Sequence, residues 1–217
     1  MKRIHLIFIG IIGVTLSSCI KPEVIPAPEP VVDLEARFQG SIGGQFTEYT
    51  EFVSGYEGIS DIAIQSSGGT SNAQYTFALQ STESQAMLRI GLGSISWSSS
   101  LGTYRPELNL FNNFFINNDS PVYSNNALAG FEVVYRTFND SVFVSRENST
   151  YLQKSVSFVP ASIIQGSDSS GDYSKFICNF NCYVYNDWTD MSGGAPGVPM
   201  TDSILITNAV YEGWFKR

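Results

Sequence analysis

Histidine occurs once in the 217 residues, at position 5. Everything beyond it works without imidazole, which excludes Ser-His-Asp and Cys-His nucleophilic catalysis, His-containing zinc sites and the metalloprotease helix motif. Basic residues are scarce too. Lys2 and Arg3 precede position 19 and no acid does, so the chain from Cys19 onward carries 10 basic and 20 acidic residues, a net charge of −10. That balance argues against nucleic acid, whose affinity rests on neutralising phosphates with Lys and Arg. It argues equally against docking on anionic headgroups through a basic patch. Neither a Gly-x-Ser-x-Gly elbow nor a Walker-type phosphate loop is present. What remains chemically is a carboxylate pair of the glycosidase kind or a calcium site built from oxygens, and neither has a spacing signature here. No cofactor or metal site is expected, and an enzymatic role is not the expected one.

Long apolar runs are also missing. The apolar stretch from Ile4 to Leu16 falls short of the roughly 20 residues a spanning helix needs. Behind the positive Lys2-Arg3 it reads as the h-region of a signal peptide, residues 1–18. The run ends in Leu16-Ser17-Ser18-Cys19, which resembles the lipobox of bacterial lipoproteins. That resemblance implies a diacylglycerol on the Cys19 sulfur, cleavage after Ser18 and acylation of the new amino group. Several acyl chains anchor a protein stably where one does so marginally.

Residues 20–33, "IKPEVIPAPEPVVD", hold four of the nine prolines. Proline favours extended polyproline II, so residues 19–33 read as a lipidated cysteine followed by a stiff tether. Residues 34–217 then form one domain by length. Strand signals dominate it. Gly43-Gly44 stands between two alternating segments, a hairpin signature. "AQYTFALQ" and "AMLRIGLGSISW" are further strands, with Gly91 and Gly93 marking a bulge or close packing. "GFEVVYRTFNDSVFVS" reads as strand, turn at Asn139-Asp140, strand. "YLQKSVSFV" places Leu152, Val156 and Phe158 on one face, and "SILITNAVYEGWF" closes the chain. Short strands broken by Gly, Asn and Ser favour an all-β fold, a single antiparallel β-sandwich of immunoglobulin-like or jelly-roll-like kind. One segment departs from this pattern. "PELNLFNNFFINN" sets Leu110, Phe111, Phe114 and Phe115 at helical spacing behind Pro106, a short helix near residues 106–117. It serves either as a plug over an open end of the sandwich or as an apolar binding surface.

In "KFICNFNCYVY" the residues Phe176, Cys178, Phe180, Cys182 and Val184 alternate onto one face. Four residues along a strand span roughly 13 Å, whereas a disulfide needs Cα atoms within about 7 Å. The pair is therefore read as small buried hydrophobes, with a disulfide across a turn at Asn179–Asn181 as the alternative.

"GFEVVYRTFNDSVFVSREN", "SVSF", "KFICNFNCYVYND" and "SILITNAVYEGWF" together are similar to small lipoproteins of Bacteroidetes bacteria without assigned function. Those have a Gly-led strand with a "VxY" core, an "FxC" strand and a late "ITNG-F" strand. Ala209 stands here where that glycine is expected, and "DWTDMSGGAPGVPM" lengthens the loop of the last hairpin. The resemblance implies a β-sandwich on an envelope lipoprotein, lipid-anchored at the outer membrane, and carries over no catalytic residue. In that setting Asp140-Ser141-Val142 and Asp202-Ser203-Ile204 look like O-glycosylation sites, at Ser141 and Ser203.

Two functions from different classes fit. The first is a binding module for glycan or protein, suggested by "YNDWTDMSGG". That stretch reads as a loop joining an aromatic, Trp188, to the polar Asp187 and Asp190, with Trp97 a second aromatic candidate. The second is a structural or assembly lipoprotein that docks on an outer-membrane partner by pairing an edge strand. Neighbouring exposed aromatics favour the first; a bare apolar edge strand favours the second.

Overall fold

The computed structural model describes residues 31–98, 104–124, 128–147, 156–193 and 196–217. The signal, Cys19, the tether as far as Pro30, and Leu152 lie outside them. Gly43 and Gly44 have φ of +59° and +83° and join β1 (Arg37–Ile42) to β2 (Gln45–Thr50). Positive φ at both central residues gives the hairpin turn whose twist matches that of its strands. β3 (Tyr56–Ser67), β4 (Thr70–Ser81) and β5 (Met87–Ser98) follow as a meander. β5 carries one extra residue at Ser94, beside Gly93. A Cβ on Gly93 would lie 1.7 Å from the Leu128 carbonyl oxygen, so the backbone approach there requires glycine.

After the helix α1 (Leu108–Asn117) come β6 (Gly130–Arg136), β7 (Val142–Ser145), β8 (Val156–Phe158) and β9 (Ile164–Asp168). The Asn139-Asp140 turn forms as the sequence predicts, with Asp140 at φ +65°. Two long strands complete the domain, β10 (Gly171–Asp190) and β11 (Val198–Lys216). The ladder order is β2-β1-β11-β10-β7-β6-β5-β4-β3, with β8 and β9 also on β10, and every ladder is antiparallel. The expected all-β architecture is therefore what forms. Its two facing layers belong to one continuous sheet curled over itself.

Aromatic side chains fill the curl. Phe176 stacks on Phe215 at 4.6 Å between ring centroids, and Phe77 meets Tyr211 edge-on at 6.1 Å. The Tyr211 hydroxyl donates to the Leu88 carbonyl at 3.0 Å, tying β11 to the facing β5. Helix α1 closes the aromatic cluster. Phe111 and Phe115 are buried against Tyr75, and Phe115 stacks on Phe215 at 4.7 Å. Leu110 faces outward and Phe114 is half-buried, so the apolar stripe covers core with part of its width.

Cys178 and Cys182 are buried free thiols on β10, placed by strand alternation on one face with Phe176, Phe180 and Val184. Burial pushes the Cys182 thiol up to about 12 and the Cys178 thiol well above its ordinary value. The chain enters the domain at the other end of β10 from its tip. The Val32 amide donates to Asp168 Oδ2 at 2.9 Å, and the Trp214 indole donates to the Leu34 carbonyl at 3.1 Å. Residues Val31–Asp33, which proline density assigns to the tether, thus belong with the domain.

Candidate functional site

The hairpin of β10 and β11 is longer than the sheet around it. β7 pairs with β10 only at Val184 and Tyr185, and β1 leaves β11 at Ile206. Beyond these points Asn186–Asp190 and Val198–Asp202 pair only with each other, forming a two-stranded arm. The stretch around Trp188, which reads as loop in the sequence, is strand: it pairs Asp187 with Thr201, Trp188 with Met200 and Asp190 with Val198. Composition misleads here because Asn, Asp and Gly are turn formers, while the cross-strand Trp–Met and Asp–Thr pairs that stabilise the arm are invisible along the chain. Only residues 191–197 remain as connection.

A bulge sits at the root of the arm. Between Phe180 and Cys182 the register slips, so that Thr207 and Asn208 together oppose Asn181. Asn208 adopts φ +51° and its amide donates to Asn181 Oδ1 at 2.7 Å. Asparagine tolerates this left-handed conformation, so the position beside it can be Ala209, which is buried.

Alternation splits the candidate residues between the two faces of the arm. Trp188, Asp190 and Asn186 share one face with their partners Met200, Val198 and Asp202. The Trp188 side chain is 43% exposed, and its indole N–H donates to Asp202 Oδ2 at 3.2 Å. Met200 and Val198 extend an exposed apolar strip beside the indole. The Asp190 carboxylate accepts from the Ser192 amide at 2.9 Å, which holds it below the usual carboxylate range.

Asp187 lies on the other face with Tyr185 and Thr201. Thr201 Oγ1 donates to Asp187 Oδ1 at 2.6 Å, and Arg146 pairs with both carboxylate oxygens. The Thr201 hydroxyl and then the Arg146 guanidinium hold Asp187 below its ordinary value. Arg146 also covers the Tyr185 ring at 4.6 Å. A cleft of about 420 Å³ opens here, lined by Glu132, Val144, Arg146, Tyr185, Asn186 and Asp187 among others.

Trp97 is not part of this assembly. It lies on β5, separated from β10 by β6 and β7 in the sheet order, half-buried against the core and paired with Ser71. Ser203 is exposed on β11 opposite Tyr185, and Ser141 follows the left-handed Asp140 in the β6–β7 turn.

The acidic stretch "GSDSSGD" is spent internally. Asp168 Oδ1 accepts from the Ser170 amide and hydroxyl and from the Gly171 amide, while its Oδ2 takes Val32. These bonds, led by that of the Ser170 hydroxyl, bring the Asp168 carboxyl down to about 2. Among the described residues no cluster of three or more His, Cys, Asp or Glu is placed to hold a metal ion.

A second groove of about 400 Å³ lies where the chain enters, lined by Glu35, Ala36, Arg37, Glu51 and Glu212. Glu51 is the one described carboxyl shifted upward, chiefly by burial. Its Oε1 accepts from the Gly58 amide at 3.1 Å and its Oε2 is shut off from solvent. That hydrogen bond clamps the β2–β3 turn. Comparison with protein-family models, curated proteins and solved structures finds no match for this chain.

Proposed function

We propose that the chain is an envelope lipoprotein, anchored through acylated Cys19 at the outer membrane, whose β domain is a non-catalytic binding module for glycan. The observation that carries this reading is the exposed Trp188 on a projecting arm, its indole oriented by Asp202 and flanked by Asn186 and Asp190. Sugars present apolar C–H faces to an aromatic plane and hydroxyls to carboxylate and amide groups, so this arrangement supplies both halves of the recognition. The cleft on the opposite face of the same segment, with Glu132, Arg146 and Asp187, offers room for a second ring. Asp187 and Asp190 are held low, which suits hydrogen-bond acceptors and not a general acid that must be protonated near neutral pH. Glycosylation at Ser141 and Ser203 belongs to the same envelope reading. Ser203 lies on the Asp187 face, where a modification would narrow access to the cleft.

Val32 is bonded to Asp168 beside the start of β10, and the arm is formed by the other end of that 20-residue strand.

A glycan array probed with the chain and with Trp188→Ala tests the reading. Binding of the parent that the substitution abolishes supports it; an empty array, or binding indifferent to Trp188, overturns it. Labelling with a radioactive fatty acid tests the anchor separately, since Cys19→Ala is expected to remove the label, and a labelled variant contradicts lipidation at that residue.

A further inference from the structure

The edge of the sheet at β3 differs from the open edges at β2 and along the arm. β2 carries Glu48, the β10 side of the arm carries Asp187 and Asp190, and the β11 side carries Pro199 and Asp202. Charges and proline are what keep exposed strands from pairing with a neighbouring chain. Between Asp61 and Glu83 no residue is charged, in a chain whose net charge beyond position 18 is −10. The first half of β3 is covered. Tyr56 stacks on Tyr49 at 4.4 Å, the Gly58 amide donates to Glu51, and the Lys216 amide donates to Ser60 Oγ at 3.0 Å. Its second half, Ile62–Ser67, pairs on one side only, with β4.

The amides of Gly58 and Ile62 go to carboxylates, Glu51 and Asp61, away from β4. Strand alternation turns the amides and carbonyls of Ile64 and Ser66 to that same open side. Ile64 is 41% exposed on the face of the sheet that, further along β3, packs Ile62 against the core.

We propose that β3 pairs antiparallel with β3 of a second copy of this chain, with the two-fold axis passing through Ile64. In that register Ile64 lies opposite its own counterpart, Ile62 opposite Ser66, and Asp61 opposite Ser67. The acidic groups of the two copies are thus kept apart along the pairing. The symmetric register makes the contact self-complementary, as a two-fold interface must be. The uncharged strip is where two strongly acidic copies approach with least repulsion. A strand pair of this length buries less than a standard interface, so the dimer is weak in dilute solution and is favoured where chains are concentrated on one surface.

The test uses the full chain with a cysteine introduced at the axis, Ile64→Cys. Antiparallel neighbours at the axis stand within disulfide range, so mild oxidation is expected to give a band at twice the chain mass. Gln45→Cys, exposed on β2, is the control and is expected to remain single. In sedimentation, the parent is expected to shift toward dimer as concentration rises, and Ile64→Lys to stay monomeric with an unchanged circular dichroism spectrum. An Ile64→Cys chain that links no better than the Gln45→Cys control, or that links to a different protein, overturns the proposal, as does a parent chain monomeric at every concentration.

Discussion

Trp188 and Trp214 carry the same side chain into opposite environments. Trp214 packs against Phe77 and Tyr173 and donates to the Leu34 carbonyl, whereas Trp188 stands on the arm against the Asp202 carboxylate and the opposing Met200. Trp188→Ala is therefore expected to change stability by no more than about 1 kcal/mol, the range of a cross-strand pair on an exposed face. Trp214→Ala is expected to cost about 3 kcal/mol, the low end for a packed tryptophan. Denaturant unfolding of the two variants checks both values. The cysteine pair makes a second residue-scale prediction. Buried and far from thiolate at neutral pH, Cys178 and Cys182 should resist iodoacetamide in the folded chain. Both should react once it is unfolded without reductant, as mass spectrometry would read. Their placement is legible in the sequence because alternation fixes the face of every second residue. That Asp187 and Trp188 point apart is not, because the segment reads as loop and a loop has no alternation to apply.

Among the elements, helix α1 and the Gly43-Gly44 hairpin are legible for local reasons: a 3.6-residue apolar period in one and a two-glycine turn in the other. The helix begins at Leu108 and not at Pro106, and Glu107 precedes it without a side-chain cap. Its hold on the domain is tertiary, through Phe111 and Phe115. Phe111→Ala is expected to destabilise by about 3–5 kcal/mol, and Leu110→Ala, on the outer side, by less than about 1 kcal/mol. Thermal melts separate them; equal losses would mean the helix does not close the core. The bulge at Thr207–Asn208 escapes a sequence reading because its left-handed residue is asparagine, where glycine draws attention. The joining of both layers into one sheet depends on pairings between strands distant in the chain, β7 with β10 above all, which no local pattern records.

The whole molecule is acidic, and its carboxylates set its response to pH. Hydrogen bonds bring the Asp168 carboxyl to about 2 against an ordinary 3.8. Asp187 and Asp190 are also held low, and so is Asp172, where burial is outweighed by the Ser167 hydroxyl and Arg217. A carboxyl depressed on folding contributes stability above its unfolded value and loses it as pH falls through the folded one. Glu51, raised by burial, runs the other way: its contribution is present in acid and lost as pH rises through its folded value. Four depressed groups against one raised predict net destabilisation between pH 3.8 and about 2. Unfolding curves across that window check the sign, and Asp168→Asn should flatten the slope.

Nuclear magnetic resonance shift mapping of the isotope-labelled chain during titration with an array-positive saccharide tests glycan recognition by the arm most directly. The predicted result is saturable movement of the Trp188 indole N–H and of amides from Asn186 to Asp190 and Val198 to Asp202, with the groove at Glu35 and Glu51 silent. Movement confined to that groove, or none along the arm, would contradict it.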